Sequence, residues 1–100
     1  MTNRELWKER ARSALVMVAM RRSIVTYKEL GMAIGMSGID LRNQMRRILD
    51  DVSEVCIANN EPVLAALVVN STTGKPGSGW SDGEVPWYEE VQQVFKKWTP

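Results

Sequence analysis

The sequence predicts an α+β fold: three helices, a β-hairpin and a closing helix. Two observations carry that expectation. Apolar residues recur at helical spacing in four segments, three of them opened by a Thr or Ser with an acid three residues on. One continuous apolar run, Val63 to Val69, has no such opening and leads into a stretch rich in Gly, Ser, Thr and Pro.

The first helix opens at Thr2-Asn3-Arg4-Glu5, where hydroxyl and carboxylate can satisfy reciprocal backbone donors. Trp7, Ala11, Ala14, Leu15 and Val18 give it one apolar face, ending near Met20. Arg21-Arg22 close it, where cations suit a helix C-terminus. Ser23 to Val25 is a short link, extended by its β-branched Ile24 and Val25. Thr26-Tyr27-Lys28-Glu29 is a second capping box and opens a short helix to Ile34, with Gly35 as its stop. Ser37-x-x-Asp40 opens the third helix, on which Leu41, Met45, Ile48, Leu49, Val52 and Cys56 form one stripe. Asn59-Asn60 end it and Pro62 prevents its continuation.

Val63 to Val69 reads as a buried strand. Ser71 to Ser81 reads as a hairpin tip with room for a short return strand at Gly79-Trp80, and Asp82-Gly83 as a further turn. Pro86 suits the first position of the last helix, whose stripe is Trp87, Val91, Val94, Phe95 and Trp98. Glu89 and Glu90 at its start and Lys96 and Lys97 at its end match the macrodipole. A short helix, a tight turn and a longer basic helix form a helix-turn-helix, and a following hairpin makes the arrangement a winged helix-turn-helix, as one domain over 1–100.

The bulk properties narrow the classes. At 100 residues the chain has room for one modest core. Its apolar runs reach seven residues, far below the roughly 20 that span a bilayer. The charged start, with Arg4, Glu5, Lys8 and Glu9, is no signal peptide. One cysteine and no histidine argue against a disulfide or a zinc site, and fit a reducing cytoplasm. No cofactor is expected. The net charge of +1 conceals an asymmetry: residues 1–49 carry ten Lys/Arg against four Asp/Glu, and residues 50–100 three against eight. Either the basic half is a polyanion-binding face or the two halves pair within the fold.

Thr26-Tyr27-Lys28-Glu29-Leu30, then Leu67-Val68-Val69-Asn70 and Gly74-Lys75-Pro76-Gly77-Ser78-Gly79-Trp80, resemble the C-terminal DNA-binding domain of alkylguanine-DNA alkyltransferases and the alkyltransferase-like proteins. The resemblance spans roughly Ser23 to Trp98 and implies a winged helix with its third helix in a DNA groove. It departs at the chemistry. The family's nucleophilic Cys and its His partner fall on Ala65 and Ala66, so alkyl transfer by that route is excluded. The DNA-intruding arginine falls at Asn43, one residue from Arg42. Pro62 to Trp80 with Val94-Phe95-Lys96-Lys97-Trp98 is also similar to a group of uncharacterised small bacterial and phage-type proteins, which implies the fold and little about activity.

Arg42, Asn43, Arg46 and Arg47 are the residues best placed for a groove, since Arg reads guanine or phosphate and Asn reads adenine. The competing expectation is that Arg46-Asp50 and Arg47-Asp51 are intrahelical ion pairs. Thr26 caps its helix and can offer its amide to a phosphate. Tyr27 either places its hydroxyl on a phosphate or packs its ring on the first helix, and Lys28 follows at the same corner. Lys75 sits at the tip of the wing. Trp7, Trp87 and Trp98 are expected in the core, Trp80 either under the hairpin, the favoured reading, or as a base-stacking or protein-contact residue, and Met32 and Met36 exposed near the turn.

The functional expectation is a non-catalytic double-stranded DNA-binding protein without metal or membrane attachment. The alternative is a phage or mobile-element protein that modulates a host protein, its acidic half (Asp50, Asp51, Glu54, Glu61, Asp82, Glu84, Glu89, Glu90) presenting a DNA-like face. An enzyme is disfavoured, because no nucleophile–base pair or carboxylate pair in an apolar setting is in view.

Overall fold

A computed structural model describes residues 2–36, 38–71, 74 and 86–99, with the Arg42 side chain outside that description. Helix α1 runs Asn3–Met20, and the Glu5 amide donates to Thr2 Oγ1 at 3.2 Å. It buries Ala11, Leu15 and Ala19, with Trp7, Ala14 and Val18 packed beside them.

Strand β1 (Val25–Thr26) leads directly into helix α2 (Tyr27–Ile34). Both halves of the expected capping box form: the Glu29 amide donates to Thr26 Oγ1 at 3.1 Å, and the Thr26 amide donates to the Glu29 carboxylate at 2.9 Å. Gly35 ends α2 at φ +83°, a conformation strained for any side chain. Met36 follows with its amide on the Gly31 carbonyl at 2.7 Å. That fold-back drives its side chain into the core, where it is 1% exposed, contrary to the exposed position expected for it.

Helix α3 spans Gly38–Ala58 and buries Met45, Ile48, Leu49, Val52 and Cys56, with Leu41 partly buried. Its expected cap, Ser37, lies outside the described residues. Gly31 sets how closely α2 approaches α3. A Cβ there would sit 2.7 Å from Leu41 Cδ1 and 2.9 Å from the Met36 carbonyl oxygen. At the far end Asn60 takes φ +56° and the Glu61 amide donates to the Cys56 carbonyl at 2.8 Å.

The strand expected over Val63 to Val69 is mostly not a strand. Leu64–Leu67 forms a 3-10 turn and only Val68–Val69 is extended, as β2. An apolar run does not declare its own period. Ala65 and Ala66 offer little to a pleated sheet, whereas the turn buries Leu64, Ala66 and Leu67 among α1, α3 and the last helix. Among the described residues the partner of β2 is β1, in parallel register, with Val25 opposite Val68 and Thr26 opposite Val69. The expected return strand at Gly79-Trp80, and Lys75 with it, lie outside the described residues.

Helix α4 (Trp87–Trp98) buries Val91, Val94 and Phe95, and Pro86 is its cap rather than its first residue. Two hydrogen bonds fix α4 to the 3-10 segment: Trp87 Nε1–H donates to the Ala66 carbonyl at 2.6 Å, and the Val63 amide donates to the Glu90 carboxylate at 2.8 Å. Helix α1 touches α2, α3, α4 and the 3-10 turn. The described chain is thus an α+β fold, predominantly helical, with a two-stranded parallel sheet at the root of α2. None of its helices is long and apolar enough to cross a membrane.

Candidate nucleic-acid interface

The α2–α3 corner follows from three local features. The Thr26 box fixes where α2 begins, Gly35 turns the chain, and Gly31 lets α3 cross close by. The stripe from Met45 to Cys56 then turns the opposite face of α3 to solvent. Asn43, Arg46 and Arg47 stand exposed on that outer face. Arg42 lies on α3 one turn before Arg46.

Neither i,i+4 ion pair expected on α3 appears among the described residues. Asp51 is instead held by Arg4 of α1, whose Nε lies 2.8 Å from Oδ2 and whose Nη2 lies 2.9 Å from Oδ1. This fork is planar and bidentate, the geometry in which Arg binds a carboxylate best. Its hydrogen bonds hold the Asp51 carboxyl below its ordinary 3.8, and the Arg47 charge contributes at longer range. Arg4 is correspondingly shifted up, chiefly by the same hydrogen bonds.

The arginines of α1 and those of α3 are therefore two populations. On α1, Arg4 binds Asp51, Arg10 Nη1 donates to the Ile34 carbonyl at 3.1 Å, and Arg12 Nη2 lies 3.0 and 3.1 Å from the two oxygens of Glu61. Arg12 also reaches Cys56 Sγ at 3.7 Å and lies 5.7 Å from the Trp98 ring centroid. These cations hold the helices together, and two of them neutralise carboxylates of the acidic half. On α3, Arg46 and Arg47 have no ion-pair partner among the described residues.

The other expected site residues divide as well. Thr26 acts as the cap, with its side chain and amide engaged by Glu29. Tyr27 is half-buried and packs against the core. Lys28 is exposed on α2. The acidic half is dispersed: Asp51 and Glu61 bind arginines, and Glu90 binds the Val63 amide.

Ala65 and Ala66, where the alkyltransferase pattern carries its reactive pair, lie in the 3-10 turn, and Ala66 is fully buried. Cys56 is a buried thiol on the core side of α3. No group of His, Cys, Asp and Glu suited to a metal occurs among the described residues. Two of the three segments that carry the resemblance, Thr26 to Leu30 and Leu67 to Asn70, meet through the β1–β2 pairing.

Two surface residues escaped the sequence reading. Ile39 and Ile57, near the two ends of α3, are 71% and 67% exposed. Their signal was legible, because both fall off the apolar stripe on a helix whose other off-stripe residues, Val55 apart, are polar or small. Comparison with protein-family models, curated proteins and solved structures finds no match to this chain.

Proposed function

We propose that the protein is a non-catalytic double-stranded DNA-binding module of the winged helix-turn-helix type, related to the alkyltransferase-like proteins. The observation that carries the reading is the exposed face of α3, where Asn43, Arg46 and Arg47 stand without ion-pair partners among the described residues. Arginine forks and an asparagine amide are the groups that meet guanine, adenine and phosphate. Support also comes from the short turn between α2 and α3 and from the adjacency of two of the three family-like segments. In this reading α3 enters the major groove, Lys28 at the start of α2 meets the backbone, and Arg42 and Lys75 extend the contact from helix and wing.

A second reading draws on a different observation. Met32 is 72% exposed on the outer side of α2, and Ile39 is exposed just beyond the same turn. Apolar residues there favour a protein partner, as a phage or mobile-element modulator would use.

Fluorescence anisotropy with a short duplex and a single strand, at low and moderate salt, separates the two. Groove binding predicts duplex affinity that falls steeply with salt, because neutralised phosphates release counterions. Absence of duplex binding at low salt removes the DNA reading and leaves the protein-partner one.

A further inference from the structure

The outer face of α3 has an internal symmetry that the DNA reading does not use. Ile39, Asn43, Arg46, Asp50, Ser53 and Ile57 follow one another at steps of 4, 3, 4, 3 and 4, the spacing of a coiled-coil seam. All six lie away from the core; Ser53 is partly buried and the other five are exposed. The seam is self-complementary about the level of Ile48. Reversed upon itself, it sets Ile39 opposite Ile57, Asn43 opposite Ser53 and Arg46 opposite Asp50.

We propose that a second copy of this chain docks antiparallel along α3, forming a two-fold dimer. Charge complementarity selects this occupant. In an isologous interface residue i meets residue j, and j meets i, so a helix basic in its first half and acidic in its second pairs best with its own reverse. The two exposed isoleucines then cover each other at both ends of the seam. The seam is about 27 Å long, and a single helix pair of that length buries less than the roughly 1,200 Å² of a standard interface. Self-association is therefore weak and reversible. The paired copy covers Asn43, Arg46 and Arg47, so dimer and duplex-bound forms exclude each other.

Sedimentation velocity of the full chain without nucleic acid, from about 10 μM to about 1 mM, covers the range expected of so small an interface. The 11.3 kDa chain should move toward twice its mass as concentration rises. Arg46→Asp and Asp50→Arg should each weaken association at least about tenfold, by placing like charges opposite one another. An equimolar mixture of those two variants should associate again, because every opposed pair is then of opposite sign. Thermal melts of each variant verify the fold. A wild-type chain that stays monomeric throughout, or a dimer indifferent to the single reversals, overturns the proposal. Because no DNA is present, either result leaves the duplex-binding reading to its own test.

Discussion

The arginines of α1 and those of α3 come from the same basic half of the sequence and have opposite fates. Arg4, Arg10 and Arg12 each reach a partner on another element, and each thereby fixes a helix–helix or helix–loop contact. Arg46 and Arg47 extend from a helix whose packing is already complete on its other side. The comparison teaches that a charge count overstates a binding face. Among these arginines, Arg46 and Arg47 have no ion-pair partner among the described residues, while Arg4, Arg10 and Arg12 of α1 belong to the architecture.

The largest break of that comparison is expected at Arg12. Glu61 has 11% of its side-chain surface exposed, so removing its partner leaves a carboxylate largely buried and unpaired. Arg12→Ala should cost about 3 kcal/mol in urea unfolding, whereas Arg46→Ala should stay within about 0.5 kcal/mol. Equal costs would mean that the two populations do not differ. Gly31→Ala comes next. Its new methyl would sit 2.7 Å from Leu41 Cδ1 and 2.9 Å from a backbone carbonyl. A loss of about 1–3 kcal/mol is expected. Only the side-chain clash is relieved by trimming Leu41, so Gly31→Ala/Leu41→Ala should not return to the stability of Leu41→Ala alone.

How far the sequence revealed all this depended on the kind of signal. Capping boxes are local, and Thr26 with Glu29 formed as their spacing predicts. Helical stripes were legible for the same reason, since each residue's face is fixed by its own helix. Val63 to Val69 was misread because an uninterrupted apolar run has no period to read, and the choice of a 3-10 turn is made by three surrounding helices. Met36 was misread because its burial depends on the chain folding back after Gly35. On the candidate site, the identities on α3 were readable, but the partner of Asp51 was not. Arg47 is nearest in sequence, yet Arg4, from a different helix, takes the carboxylate. Long-range pairing of this kind leaves no trace in local spacing.

Smaller effects sharpen the contrast. Thr26→Ala removes the cap at the root of α2 and should cost about 1 kcal/mol, measurable by thermal melt, with Thr26→Ser retaining most of it. Asp51 has its carboxyl depressed by Arg4, so its contribution is present above the ordinary 3.8 and is lost as pH falls through the lower folded value. Because Arg4 is largely exposed, solvent screening keeps that contribution small. Asp51→Asn should lower stability near neutral pH by that small amount and converge on wild type at acid pH, so that the acid limb below about pH 4 is flatter. An acid limb identical to wild type would assign the loss to other carboxylates.

The most direct measurement is duplex binding as a function of salt for wild type, Arg46→Ala/Arg47→Ala and Arg4→Ala. The account predicts that the α3 double variant loses about 10–100-fold in affinity and about two in the slope of log affinity against log salt, with its stability intact. Arg4→Ala should bind like wild type. Duplex binding that survives the α3 substitutions, or falls equally with Arg4→Ala, would contradict the division of the arginines into structural and ligand-facing sets.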